Sequence, residues 1–523
     1  MIRNKISVII RIGTICAVLS LNSCRGTDTE GILTGGGQSA VNINLLGSEF
    51  SGPNNSSKAS LNNRSDEVSG LQTNNVLVNP ATFISTQLSS FSENAKMSSD
   101  MKAKASASGD YLKGGVKFRI IAYRANGDYH THQDYTVGEP AMPMMLDMDV
   151  SYDMIVYSYG ATSLPEISAG EQMNIRSAIV NYDDVNRDFM YQKIAFTPNK
   201  ANNILNITLR HKVAQITTKI NSGLGTINAL LAAKGLGPHY TNGVIALSTG
   251  TISGRTNKSN GLMPNFPSNN FPGGSVTADP VFINADTRGI KTGSFLVGLM
   301  IGDALRLIDL SNAFKITPGY KSTLTINLMK CGAYLGPGNT LWKDFMCHNL
   351  GADTSADPFM PSASVYGAKY QWGAQTGEEG RYYSQANDEY NRSSISGWKN
   401  SVKPGERWSD TYKTINDPCP SGYRVPTEAQ WLAVLANNKF ERAGTWSSSD
   451  YTSAIYFTSY FGRTLMLPPA GGRRFDDGKR MDRAFVGNYW SSSETQSIYF
   501  SLTRFNMLSS NPASGFSVRC IAE

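Results

Sequence analysis

The sequence predicts a mainly β protein, with two tandem β-sandwiches followed by an α+β, loop-rich module. Short apolar runs of alternating pattern, bounded by Gly, Asn, Ser and Pro, recur between Val116 and Met329. All seven tryptophans, Trp342, Trp372, Trp398, Trp408, Trp431, Trp446 and Trp490, lie beyond residue 330, as do Cys331, Cys347, Cys419 and Cys520. The first 330 residues are free of Trp and, past Cys24, of Cys, so two differently built regions share one chain.

At the N-terminus, Arg3, Lys5 and Arg11 surround an apolar stretch from Ile6 to Leu21, followed by Leu21-Asn22-Ser23-Cys24. Residues 1–23 read as an export signal. Small residues ahead of a cysteine suit a lipoprotein signal peptidase, which makes Cys24 the expected first mature residue and lipidation site. An ordinary cleaved signal with an incidental cysteine is the alternative. Each buried methylene of an acyl chain contributes about 0.8 kcal/mol, so a multiply acylated Cys24 is expected to hold the chain on the outer membrane. The apolar run is too short to span a bilayer, and no later segment reads as a span.

The formal charge is +7, and loss of the three cations Arg3, Lys5 and Arg11 lowers it to +4. So small a charge on a chain with only 17% charged residues argues against a nucleic-acid partner.

Residues 24–110 are rich in Ser, Asn, Gly and Thr and read as a tether with one strand, Val41–Leu46. An isolated apolar strand ahead of such a stretch must pair with a sheet elsewhere. Arg64, in Asn62-Asn63-Arg64-Ser65-Asp66, is the candidate protease-processing site.

Residues 111–221 form the first expected sandwich. Val116, Phe118, Ile120 and Ala122 alternate with Lys117, Arg119, Ile121 and Tyr123, and Asn126-Gly127 then favours a type I′ hairpin turn. Further strands are expected at Tyr152–Tyr159, Met190–Phe196, Ile204–Leu209 and Ala214–Ile220. Residues 222–330 form the second sandwich, of a size that suits one domain. It opens with a helix over Ile227–Lys234, capped by Thr226 and ended by Gly235. Strands follow near Gly243–Ser248, Pro280–Ile283, Ser294–Ile301 and Thr323–Met329.

Leu209-Arg210-His211-Lys212-Val213-Ala214-Gln215-Ile216, leading into a final strand, resembles the motif that closes the N-terminal domain of the fimbrillin superfamily of Bacteroidetes-type pili. Phe314-Lys315-Ile316-Thr317-Pro318-Gly319-Tyr320, ahead of the last strand of the second sandwich, is similar to the same family's Pro-Gly turn. The resemblance covers roughly residues 40–330. It implies assembly by strand exchange with other fimbrial subunits. Removal of the Val41–Leu46 strand, by cleavage at Arg64, would open a groove for another subunit's strand.

Residues 331–523 contain Tyr366-Gly367-Ala368-Lys369-Tyr370-Gln371-Trp372-Gly373, Asp417-Pro418-Cys419-Pro420-Ser421-Gly422-Tyr423-Arg424-Val425-Pro426-Thr427, Gly487-Asn488-Tyr489-Trp490-Ser491-Ser492-Ser493-Glu494 and Gly515-Phe516-Ser517-Val518-Arg519-Cys520. In order and spacing these resemble the Fibrobacter succinogenes major paralogous domain. That resemblance implies a loop-rich fold like those of C-type lectins and formylglycine-generating enzymes, with its termini brought together. Thr427 and Gln430 make a capping-box pattern for a helix over Glu428–Ala436, with Trp431, Val434 and Leu435 on its apolar face.

Four cysteines in an exported chain favour two disulfides. Of three pairings, Cys331–Cys347 with Cys419–Cys520 is favoured, the second loop of about 100 residues being worth on the order of 4 kcal/mol. A four-cysteine zinc site lacks the usual Cys-x-x-Cys spacing.

No catalytic group assembles from the sequence. His348 is the only histidine in the last region, so no Ser-His-Asp or Cys-His set forms there. His130 and His132 share a strand face without a third metal ligand, and Asp476-Asp477 beside Arg473-Arg474 read as a solvated loop. The calcium-lectin signatures Glu-Pro-Asn and Trp-Asn-Asp are absent, and no cofactor is expected.

The sequence therefore reads as a non-catalytic fimbrial accessory or tip subunit, partnered by other fimbrial subunits and by a host or bacterial surface protein or glycan. A folded module after the second sandwich leaves no free C-terminal strand to donate, which favours the tip. A lipid-anchored glycan-binding protein of a polysaccharide-uptake system is the alternative.

Overall fold

The computed structural model describes residues 37–51, 70–90 and 110–523, except 449, 460 and 461. Among the described residues, nineteen strands precede the last region. They are β1 (Gln38–Glu49), β2 (Leu71–Asn79), β3 (Thr82–Ser90), β4 (Lys117–Arg124), β5 (Tyr129–Thr136), β6 (Met144–Asp147), β7 (Tyr152–Ser158), β8 (Ile179–Asn181), β9 (Met190–Phe196) and β10 (Asn202–His211). The series continues with β11 (Ala214–Ser222), β12 (Ile227–Gly237), β13 (Val244–Ala246), β14 (Thr251–Ser253), β15 (Ser275–Thr277), β16 (Val281–Ile283), β17 (Gly293–Ile301), β18 (Ala304–Phe314) and β19 (Lys321–Lys330). The chain is mainly β, as its alternating patterns predict. Among the described residues no helix is long and apolar enough to cross a membrane.

The first seven-stranded sheet runs β5-β4-β7-β9-β10-β1-β6. One face packs Val41, Phe118, Ile120, Met154, Leu205 and Ile207 into a core. Its other face carries Ile121, Tyr123, Ile155 and Tyr157 against Val180, Ile245 and Ile252 of the small β14-β13-β8 sheet. Burial on both faces is why β4 contains the near-continuous run Ile120-Ile121-Ala122-Tyr123. The sheet curls until its edges approach, with Arg124 at the end of β4 donating to Asp147 of β6 at 2.8 Å. In the β4–β5 turn Gly127 takes φ +94° while Asn126 stays at negative φ, so the turn departs from the expected type I′.

The second body stacks the sheet β15-β11-β19-β3-β2, joined by β16 on β11, against β12-β17-β18. Ile216, Ile220, Leu324 and Ile326 meet Phe295, Val297, Leu299 and Ile308 between the layers. Strands β11 and β19 alternate buried and partly exposed residues along their length, as a sheet with one buried face requires.

Three expectations are corrected here. The stretch read as tether contributes a hairpin besides β1: β3 pairs antiparallel with β19 from Thr82–Lys330 to Ser90–Ser322, and β2 pairs with β3. Its Ser, Thr and Asn residues mask an apolar set, Phe83, Ile84 and Leu88, that is buried. The expected helix over Ile227–Lys234 is strand β12, paired with β17 from Ile227–Ile301 onward. Burial of Ile227 and Leu236 in the sandwich core overrides the helix propensity of the Ala and Leu residues between them. Gly235 sits at φ +66° where the ladder register shifts, so it forms a bulge rather than a helix cap. Strand β11, read as closing the first sandwich, pairs instead with β15, β16 and β19 of the second body.

Beyond Lys330, short hairpins and, among the described residues, two α-helices, α1 (Gln385–Tyr390) and α2 (Glu428–Asn437), pack around indoles. The Thr427–Gln430 capping box is present, and Trp431 and Val434 are buried beneath α2. The ends of this region meet: Met346 N–H donates to the Cys520 carbonyl, and Tyr423 pairs with Ala522. The turn between β2 and β3 docks on it, with Cys331 and Cys347 N–H donating to the Ala81 and Pro80 carbonyls at 2.8 and 2.7 Å.

Candidate functional site

Two places combine chemistry with position: the slot filled by β1 and a pocket on the C-terminal head.

Strand β1 lies between β10 and β6, parallel to the first from Ala40–Asn202 to Glu49–Arg210 and antiparallel to the second from Gln38–Asp147 to Val41–Met144. Val41 is fully buried beside Leu205, Ile207, Met144 and Leu146. Side chains add polar ties: Asn203 Nδ2 donates to Ser39 Oγ at 2.6 Å, Asn44 Nδ2 to Asn206 Oδ1 at 2.6 Å, and Arg210 pairs with Glu49 at 2.6 Å. At its end Phe50 stacks on His211 with ring centroids 3.7 Å apart. Both neighbours are far away in sequence, so removing β1 would leave two backbone edges unpaired and an apolar trough open to water. Cys24 and Arg64 lie outside the described residues.

In the head, Cys331–Cys347 and Cys419–Cys520 are disulfide-bonded, the pairing favoured from sequence. Trp372, Trp398, Trp408, Trp431 and Trp490 are buried, and Trp342 and Trp446 are partly so, which makes the indoles chiefly core. His348 is buried with Nε2 against the Ala356 carbonyl at 2.9 Å, and burial holds its pKa below the usual imidazole range. His130 and His132 go separate ways, the first to Arg124 and the second to the Tyr129 hydroxyl. Among the described residues no group of His, Cys, Asp or Glu is arranged to hold a metal.

The pair Arg473-Arg474 divides. Arg474 stays at the surface with Asp476, as expected, but Arg473 is fully buried and donates to Asp388 on α1 at 2.6 Å. Lys369 and Arg483 approach the same carboxylate at 3.7 and 3.6 Å. Burial pushes the Lys369 ammonium down to about 8. This cluster escapes sequence reading because its members come from four separate segments. The only local signal is Lys369 within the apolar run Tyr366-Gly367-Ala368-Lys369-Tyr370.

The head pocket, of about 500 Å3, opens between the loop 405–414 and Ser492-Ser493-Glu494, over Trp372. Ser492 and Ser493 hydroxyls donate to the two oxygens of Asp410 at 2.5 and 2.7 Å. Arg407 donates to Glu494 at 2.8 Å and lies 5.1 Å above the Trp372 ring. The sequence motifs around Trp372 and Ser492 thus meet in one place, 120 residues apart, although neither motif by itself names the loop that faces them.

The fold defines a strand-rich chain with an inserted N-terminal strand and a disulfide-held head. No protein-family model and no curated protein matches it. Among solved structures, it is similar to a candidate cell adhesion protein of Bacteroides fragilis, at 12% identity over 58% of this chain and 97% of that one, with a TM-score of 0.30. It is similar to a fimbrial assembly protein of Parabacteroides distasonis at 8% identity over 45% and 90% of the two chains, with a TM-score of 0.27. A candidate polysaccharide binding protein of Bacteroides thetaiotaomicron matches at 10% identity over 40% and 82%, with a TM-score of 0.27.

Proposed function

We propose that this chain is a surface fimbrial accessory subunit that assembles by strand exchange and presents its C-terminal module for adhesion at the fimbrial tip. The placement of β1 carries the reading. A strand is held inside a sheet by partners about 100 and 160 residues later, and the candidate cleavage site Arg64 lies between it and the rest of the chain. Cleavage there would turn β1 from part of the fold into a non-covalent occupant, replaceable by a strand of another subunit that makes the same backbone bonds. The resemblance of Leu209–Ile216 to the fimbrillin motif supports the same reading.

Tip placement rests on β19. It is paired on both sides, with β11 and β3, and passes directly into the head through disulfide-bonded Cys331. Lipidation of Cys24 and outer-membrane anchoring of the chain before cleavage at Arg64 complete the proposal.

Purified native fimbriae test it. The expected result is a subunit beginning at Ser65, with immunogold label confined to fimbrial ends. An intact N-terminus at Cys24 in assembled material would remove the cleavage step, and label along whole shafts would remove the tip.

A further inference from the structure

Strand exchange leaves the head pocket unused. We propose that this pocket binds a neutral or amine-bearing sugar residue through Asp410, Arg407 and Tyr412. The inference rests on the adhesive reading of the head and gives it a ligand class.

Size and construction come first. A volume of about 500 Å3 falls within the range of small-ligand sites, roughly 300–1,000 Å3. Its polar groups are held in place before any ligand arrives. Asp410 is fixed by two serine hydroxyls, while Arg424 Nη2 donates to its backbone carbonyl at 2.5 Å. Arg407 is fixed by Glu494 and the Trp372 face. Side chains already ordered lose little entropy on binding. Ser493 Oγ also accepts from the Glu428 N–H at 3.0 Å, which ties the pocket wall to the start of α2.

The chemistry favours a polyol. Carboxylates and serine oxygens accept from vicinal hydroxyls, and a guanidinium donates to ring or hydroxyl oxygens. Tyr412, 60% exposed at the rim, offers a ring face to the C–H side of a sugar. Thr414 also contributes to the pocket wall and is itself buried.

Charge then narrows the class. The lining carries three carboxylates, Glu406, Asp410 and Glu494, against one cation, Arg407, which is already paired with Glu494. An acidic sugar would bring a further negative charge to this wall, whereas a neutral or amino sugar would not.

Saturation-transfer NMR on the full chain tests the assignment, with methyl glycosides of galactose, mannose, glucosamine and N-acetylglucosamine as probes and sialyllactose as the acidic comparator. The expected result is saturation of at least one of the four glycosides and none of sialyllactose, with binding at least tenfold weaker in Asp410→Asn and in Tyr412→Ala. Tyr412→Ala removes an exposed ring and keeps the test valid if Asp410→Asn unpins the loop. Absence of signal from all four glycosides, equal binding by both variants, or preference for sialyllactose overturns the sugar assignment. Adhesion of fimbriated cells separates the two readings. Adhesion that needs the head but survives both substitutions overturns the pocket assignment alone, and adhesion indifferent to deletion of the head overturns the adhesive reading with it.

Discussion

Arg473 Nε donates to Asp388 Oδ1 across 2.6 Å, with both side chains buried and the two residues 85 positions apart in the chain. Arg473 continues to the Asp388 and Asn391 carbonyls, at 3.2 and 2.7 Å, so one guanidinium closes the end of α1 as well as its carboxylate. With Lys369 and Arg483 close by, Asp388 is the shared counter-charge of three buried cations. Breaking a buried pair by removing one partner costs about 3–5 kcal/mol, because the remaining charge is left uncompensated. Asp388→Asn is therefore expected to lose stability on that scale in urea denaturation, and a loss below about 1 kcal/mol would show that the cations are compensated otherwise.

Lys369 gives the cluster a pH signature. Its ammonium sits at about 8 in the fold because of burial, against about 10.4 in an unfolded chain. Between those values the unfolded chain holds a proton that the folded chain has released, so stability rises with pH across the window. Burial of Lys212 acts in the same direction. Above about pH 10 the slope reverses, because Tyr366, Tyr370 and Tyr489 are held protonated by burial. Lys369→Met should flatten the rise in urea midpoint between about pH 8 and 10. An unchanged slope would place Lys369 in contact with water.

The two disulfides should differ in worth. Cys419–Cys520 spans 101 residues and Cys331–Cys347 spans 16. In the chain-entropy model these correspond to about 4.7 and 3 kcal/mol. Paired Cys→Ser substitutions, compared by urea denaturation, are expected to cost more at Cys419 and Cys520. The reverse order would mean that docking of Cys331 and Cys347 on the β2–β3 turn, rather than loop closure, dominates.

Strand β1 should be exchangeable. A chain beginning at Ser65 is expected to bind a hydrophobic dye at its open trough and to lose that signal when a peptide spanning Gln38–Glu49 is added. The same peptide with Val41→Asp should bind at least tenfold more weakly, since it would carry an unpaired charge into a fully buried position. Equal binding by the two peptides would show that β1 does not re-enter its native register.

Gly487 marks how tightly the head is filled. A Cβ there would stand 2.0 Å from the Phe500 ring, which packs with Tyr489 in the core. Gly487→Ala is expected to cost about 1–3 kcal/mol by overpacking. Thermal unfolding checks this, and an unchanged midpoint would mean that Phe500 has room to move.

Much of the strand layout was legible because its signals are local. Strands β9, β10, β17 and β19 were expected close to their observed positions, since period-two alternation is written in neighbouring residues. The Thr427–Gln430 cap was legible for the same reason. The β2–β3 hairpin was missed because Ser, Thr and Asn on its outer positions lower the apparent hydropathy of a half-buried pair. Strand β12 was misread because Ala and Leu favour a helix until a neighbouring strand offers hydrogen bonds and burial together. Of the head pocket, the motifs around Trp372 and Ser492 stood out, but the facing loop with Arg407 and Asp410 did not.

The sequence alone determined the strand-rich class, the concentration of Trp and Cys beyond residue 330 and the capping box, and among three disulfide pairings it favoured the one that forms. The first three depend on composition or on interactions within a few residues, whereas the pairing joins residues as far as 101 positions apart. Only the tertiary structure decided that β1 lies between β10 and β6, that β11 joins the second body, and that Arg473 is buried while Arg474 is not. Those outcomes depend on which distant segment supplies a ladder partner or a counter-charge. Pairing of backbone groups carries no sequence label, and a charged side chain reads as a surface residue until a partner such as Asp388, 85 residues away, removes it from water.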